Sequence, residues 1–200
     1  MIPAETPKKL RLAILVGSKG RGSNLMNLLE ASAAGEIPAE VSLVVSPVAD
    51  NPASLFAHEK GVAVQVLSPK TEDYDSKLLD TLMEHKVDLV CLAGYMTLLP
   101  NIIVRRYSGK ILNIHPALLP KFGGKGMYGV KVHEAVIEGK ERESGATVHW
   151  VTERYDEGEI VIQIRCSVEP DDTPETLSQR VLACEHLAYR QAIRMVAGYD

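Results

Sequence analysis

Dense apolar runs recur along the first half of this chain with room for one helix between each pair, and that alternation constrains the fold more than any other feature. The runs cover residues 10–16, 41–46, 62–67 and 88–93. Apolar residues at helical steps fill the gaps: Leu25, Leu28, Leu29 and Ala33 in the first, and Leu78, Leu79, Leu82 and Met83 in the third. The second gap opens on Asn51-Pro52, an N-cap with proline at the first helical position, and Gly61 closes it. Strands that are apolar throughout are buried on both faces. The pattern predicts an α/β fold, a Rossmann-like, mainly parallel sheet with helices on both faces.

Beyond residue 100 the pattern changes. Residues 109–115 read as a short buried strand, 132–138 as a helix ended by Gly139, and 144–152 and 160–166 as a hairpin with an enlarged loop. Thr173-Pro174 opens a long amphipathic helix whose apolar stripe runs through Leu177, Val181, Cys184, Ala188, Ala192 and Met195. With 200 residues, 46% hydrophobic and 24% charged, the expectation is one domain over residues 1–200. The charge of −4 comes without a basic block, so no nucleic-acid partner is expected. Cys91, Cys166 and Cys184 are odd in number and lack zinc-site spacing, which points to reduced thiols. Residues 1–9 lack the apolar core of a signal peptide and no run is long enough to span a bilayer. A soluble, cytoplasmic protein without membrane partners is expected.

Three stretches carry polar chemistry. Gly17-Ser18-Lys19-Gly20-Arg21-Gly22-Ser23-Asn24 follows the first strand and opens a helix, a setting in which free backbone N–H groups and the helix dipole hold phosphate. A plain tight turn fits the same residues. The dinucleotide fingerprint is absent, because Leu25 stands at the third glycine position. Asn113 and His115 lie two residues apart on a strand that Pro116 stops, so both project to one side at a carboxyl edge. A lone histidine at a strand end is structural more often than catalytic. The third stretch, residues 153–159, is acidic, and acidic loops are usually only solvated. The apolar loop 93–100 reads either as core or as the floor of a flat-ring pocket. Gly123, Gly124, Gly126 and Gly129 mark a mobile cover or a surface loop.

A resemblance decides among these readings. Asn113-Ile114-His115-Pro116-Ala117-Leu118-Leu119-Pro120-Lys121, then Gly145-Ala146-Thr147-Val148-His149-Trp150-Val151-Thr152, then Asp156, resembles the signature of the folate-dependent formyltransferases. The likeness runs from the first strand to the last helix, and it is strongest to members whose acceptor is glycinamide ribonucleotide in purine biosynthesis. It implies the formyltransferase fold, 10-formyltetrahydrofolate as cosubstrate, and small-molecule substrates. It implies catalytic roles for Asn113, His115 and Asp156, a phosphate site at Gly22, Ser23 and Asn24, and a contact from Glu185 to the acceptor's amine or ribose. Tyr95, Met96, Leu98, Leu99, Val151 and Thr152 would hold the folate. Thr97 stands where many relatives have arginine, and Leu182 where some have a basic residue. Lys19, Arg21 and Lys125 receive no role.

No metal is expected; a His115, His149 and Asp156 site finds no support in the family, and His149 has a strand-core reading. The chain would act as a monomer or homodimer. Formyltetrahydrofolate deformylases usually carry a domain before the first strand, which begins here at Leu10, and methionyl-tRNA formyltransferases add a barrel where this chain stops at Asp200. Both comparisons favour the small-substrate transferase over these relatives. A noncatalytic nucleotide-binding module is the alternative from another class.

Overall fold

The structure is a computed structural model that describes residues 9–18 and 21–199. Lys19 and the leader reading of residues 1–8 lie outside the described residues. The alternating half of the chain builds β1 (Leu10–Val16), α1 (Ser23–Ala33), β2 (Ala39–Ser46), α2 (Pro52–Glu59), β3 (Val64–Val66), α3 (Tyr74–Glu84), β4 (Leu89–Ala93), α4 (Asn101–Arg106) and β5 (Ile111–His115). After α5 (Val130–Glu138) come β6 (Glu143–Trp150), β7 (Ile160–Ser167) and α6 (Pro174–Val196). Among the described residues one sheet has the order β3-β2-β1-β4-β5-β6-β7. Its first five strands pair in parallel, and β6 and β7 add antiparallel to the β5 edge. The expected mainly parallel α/β sheet is what the chain forms.

Alternation along β1 divides the core between the two faces of the sheet. Leu12, Ile14 and Val16 pack with Leu25 and Leu28 of α1 and with Ala188 and Ala192 of α6. Ala13 and Leu15 face the other way, onto Leu78 and Leu82 of α3 and Ile103 of α4. Burying a leucine-sized side chain contributes about 1.5–3 kcal/mol, so both layers hold the central strand in register. α6 is fixed further by the buried Tyr189, whose hydroxyl lies 2.9 Å from the Leu92 carbonyl and 3.2 Å from that of Leu112. That bond ties the helix to β4 and β5 beside the carboxyl ends where ligands of such sheets bind.

Local signals set most boundaries. Asn51 caps α2 by accepting from the Ser54 N–H at 2.7 Å, and Gly61 leaves the helix in the left-handed region at φ 73°. Thr173 and Thr176 form a reciprocal capping box at the start of α6. The strand expected over 62–67 is shorter, because the Val62 N–H bonds the Ala57 carbonyl and so completes the end of α2 instead. Gly139 ends α5 but stays right-handed at φ −70°, and Lys140 takes the left-handed turn at φ 51°. α4 was not expected from the sequence; six residues are too few to show a period. Met195 is half exposed, correcting the stripe of α6, whose buried face passes through Tyr189 and Ile193. The step of three from Ala192 to Met195 rotates off the face that Val196 continues. No helix among the described residues is long and apolar enough to cross a membrane. Cys91, Cys166 and Cys184 are free thiols.

Candidate active site

Sheet register assembles the candidate catalytic group. On β5, Asn113 pairs with His149 of antiparallel β6, and His115 pairs with Thr147, so these four side chains share one face. The β6–β7 hairpin then carries Asp156 over the same face. Its approach depends on Gly158, where a Cβ would lie 1.6 Å from the Trp150 carbonyl oxygen. Asp156 itself adopts φ 54°, a left-handed conformation uncommon outside glycine and asparagine.

Hydrogen-bond partners fix the ring tautomers. His149 Nδ1 is 3.0 Å from the Trp150 carbonyl, which can only accept, so that nitrogen carries the proton. Its Nε2 lies 3.0 Å from the Asn113 amide nitrogen. The second N–H of Asn113 faces Asp156 Oδ1 at 3.5 Å, a long contact that an incoming acceptor can replace. His115 donates from Nε2 to the Phe122 carbonyl at 2.8 Å, leaving Nδ1 3.6 Å from Asp156 Oδ2. That carboxylate oxygen accepts from the Gly124 N–H at 2.8 Å, while Oδ1 lies 3.4 Å from His149 Nε2.

Charge follows from this packing. Burial pushes His115 below its ordinary value, and the Asp156 charge and the Phe122 carbonyl only partly oppose it. The Asp156 carboxylate acts toward imidazolium, but desolvation is larger. For Asp156 burial also favours the neutral form, yet His149, His115 and the Gly124 N–H together hold the carboxyl below its usual range. The ligand-free pair is therefore a carboxylate beside a neutral imidazole whose Nδ1 lone pair is open. Burial pushes His133, on α5, below its ordinary value, and charge on His115 would push it further the same way.

The glycine turn after β1 stands at the point where strand order reverses, between β1 and β4. Gly22 caps α1 at φ 76° without a side chain to occupy the first-turn N–H groups. A Cβ there would lie 2.7 Å from the Ala53 Cβ, so the turn also needs glycine to pack on α2. Asn24, two residues on, donates to Glu185 Oε2 at 2.6 Å. Burial drives the Glu185 carboxyl up to about 7 against that bond. The candidate phosphate turn and the candidate acceptor contact, both implied by the resemblance, thus meet.

The six expected folate residues divide. Tyr95 and Val151 are half-buried against the same core cluster, and the Tyr95 hydroxyl meets that of Tyr74 at 2.8 Å. Met96 and Leu98 are exposed on the loop after β4. Leu99 is 4% exposed and packs with the core around Ile103 and Tyr107, so its structural role is core packing. Thr152 is exposed, its hydroxyl engaged in a turn with Arg154. Sequence reasoning missed His149 as a partner of Asn113, although the hairpin register could have shown it. It also missed the backbone of Phe122 and Gly124, for which no side-chain signal exists. Among the described residues no group of three or more His, Cys, Asp or Glu is placed to hold a metal ion.

The sequence and the fold both have known relatives. A chloroplastic phosphoribosylglycinamide formyltransferase of Arabidopsis thaliana is 43% identical over 192 residues, 94% of this chain and 65% of that protein. The chain therefore spans just under two thirds of that relative's length. Glycinamide ribonucleotide transformylase 1 from Symbiobacterium toebii superposes with a TM-score of 0.87 at 36% identity, covering 96% of this chain and 89% of that one. A phosphoribosylglycinamide formyltransferase from Brucella melitensis gives 0.86 at 38% identity, covering 96% and 98%. Residues 10–193 match the formyl transferase family model, and with nearly the whole described chain inside that match, the chain belongs to the formyl transferase family.

Proposed function

We propose that this protein transfers the formyl group of 10-formyltetrahydrofolate to the primary amine of glycinamide ribonucleotide, within purine biosynthesis. The observation that carries the reading is the convergence of Asn113 and His115 on Asp156 at the carboxyl edge of β5, each with a polar atom within 3.6 Å of its carboxylate. Gly22, Ser23 and Asn24 would take the acceptor's phosphate at the start of α1, and Glu185 its amine or ribose. Tyr95, Met96, Leu98, Val151 and Thr152 would border the folate. The relatives' names and the match over residues 10–193 support the same assignment.

The chemistry follows from the hydrogen bonds. The unprotonated amine attacks the formyl carbon, and negative charge builds on the formyl oxygen. Asn113 keeps one N–H on His149 and turns the other from its long Asp156 contact to that oxygen. His115, fixed through Nε2, meets the same charge at Nδ1, which takes over from Asp156, 3.6 Å away, the proton that the amine loses and gives it back as the intermediate collapses. Asp156 accepts the proton that the amine loses, directly or through water, and returns it to the folate nitrogen that leaves as tetrahydrofolate. An oriented donor at an oxyanion is worth about 10² to 10³ in rate, and general acid–base work about 10² to 10⁴. We further place the protein in the cytoplasm as a single-domain monomer or homodimer.

The test is release of tetrahydrofolate from 10-formyltetrahydrofolate with and without glycinamide ribonucleotide, for the parent and for Asp156→Asn. Acceptor-dependent turnover that collapses in the variant is expected. Turnover without acceptor would replace transfer by hydrolysis, and no turnover in either case would remove the catalytic reading.

A further inference from the structure

The loop 121–129 touches the candidate catalytic group through its main chain. The Phe122 carbonyl accepts from His115 Nε2 at 2.8 Å, and the Gly124 N–H donates to Asp156 Oδ2 at the same distance. One three-residue turn therefore grips both titratable members of the group. Its backbone is bent to do so: Phe122 sits at φ 56° and Gly124 at φ 96°, both left-handed. At Gly123, between them, a Cβ would meet Leu119 Cδ2 at 2.5 Å and Asp156 Cβ at 3.3 Å. The Phe122 ring anchors the turn against Val136 of α5 and Leu177 and Val181 of α6.

A left-handed phenylalanine persists only where surrounding contacts over-determine it. Here those contacts end on the polar atoms of the two side chains. A buried neutral imidazole can carry its proton on either nitrogen, and the partner of one decides the state of the other. With the Phe122 carbonyl on Nε2, Nδ1 is left as a lone pair toward Asp156. Without it, the proton would move to Nδ1 and bond the carboxylate, and the ring could no longer gain a proton on that side. The groups facing His115 are Asp156 from the hairpin, His149 from β6 and His133 from α5.

We infer that the turn 122–124 is a positioning element: the Phe122 carbonyl holds the His115 proton on Nε2, the Gly124 amide aims the Asp156 carboxylate, and Gly123 permits the approach. The role in turnover rests on the reaction proposed above; the positioning itself is measurable without substrate.

The experiment is a long-range ¹H–¹⁵N correlation of the histidine rings near neutral pH, on the parent and on Gly123→Val. The parent should show a neutral His115 protonated at Nε2. In the variant the ring should move to the Nδ1–H form or average between the two, with kcat down about 10²-fold and KM for the acceptor little changed. A parent ring protonated at Nδ1 overturns the inference. So does a Gly123→Val ring with the parent's signals, even if its activity falls. Should that variant not fold, amide hydrogen exchange of the parent decides: Gly124, bonded to Asp156, should exchange about 10²-fold more slowly than Gly126 in the same loop, and equal rates overturn the clamp. A parent that transfers no formyl group removes the proposed reaction and leaves the ring result standing.

Discussion

Asn24 of α1 donates its side-chain amide to Glu185 of α6 over 2.6 Å, across 161 positions of sequence. The contact joins the helix whose first turn is the candidate phosphate site to the helix that Tyr189 fixes to the sheet. Because the Asn24 amide stabilises the charged carboxylate while burial penalises it, Glu185 sits close to half-ionised near neutrality. Binding of the proposed acceptor beside Glu185 would then be linked to its proton occupancy.

Stability should register that linkage. A carboxyl with a raised value in the folded chain binds its proton more tightly when native. The parent therefore loses stability as pH rises from the ordinary value of 4.5 to about 7, and the loss is constant above. At about 1.4 kcal/mol per unit it amounts to at most about 3.5 kcal/mol, reduced by the water that still reaches the side chain. Urea unfolding of the parent and of Glu185→Gln at several pH values should show the variant gaining relative stability over that interval. Parallel profiles would mean that Glu185 is not held up by burial.

The candidate phosphate turn makes a different demand. Gly22→Ala places a methyl group 2.7 Å from the Ala53 Cβ in a residue at φ 76°. Either strain alone costs about 1–3 kcal/mol, and together they must displace the turn from the N-terminus of α1. KM for the ribonucleotide should rise about tenfold or more while kcat changes little, because the phosphate is remote from the reacting carbon. Initial-rate kinetics in both substrates separate the two. A fall in kcat at unchanged KM would place the phosphate elsewhere.

The sequence made the sheet legible because β1, β2 and β4 are apolar on both faces, and it made α6 legible through Thr173-Pro174 and the buried Leu177, Val181 and Cys184. β3 was overdrawn, since the end of α2 competes for the Val62 N–H. Asn113, His115 and Asp156 were legible only through the resemblance; periodicity placed the first two on one side of a strand and gave Asp156 no more weight than Glu153 or Glu157. His149 reads as a core strand residue because it is one, 2% exposed, and its second role exists only once β6 pairs with β5. The grip of Phe122 and Gly124 comes from backbone atoms that every residue carries, so no residue type announces it. Leu99 and Leu98 look alike in sequence, and only the turn after β4 sends one to the core and leaves the other exposed.

Asn113 gives the most direct test of the proposed oxyanion site. Asn113→Ala removes the N–H that would turn to the formyl oxygen and also leaves His149 Nε2 without its 3.0 Å partner. The expected loss in kcat is about 10² to 10³, with KM for either substrate little changed. Asn113→Asp should do at least as badly, since it sets a second carboxylate beside Asp156. If alanine costs less than about threefold, the oxyanion is held elsewhere.

The last prediction concerns the balance of burial and charge at His115. Desolvation outweighs the Asp156 charge, so an NMR titration of the His115 ring in the parent should give a midpoint below the ordinary 6.5. Asp156→Asn removes the opposing charge and should lower that midpoint further. The sign for stability follows: a histidine whose folded value is depressed binds fewer protons when native. Its contribution is present above about 6.5 and is lost as pH falls below it. His133 and His186, also depressed by burial, act in the same direction, so only the residue-resolved titration isolates His115. Asp156 joins at lower pH, because its depressed carboxyl stabilises the fold above its ordinary value of 3.8 and stops doing so as it protonates. A parent midpoint above 6.5 would mean that the carboxylate wins over burial; Nδ1 would then already carry a proton before the formyl oxygen develops charge, and His115 would act as a fixed cation.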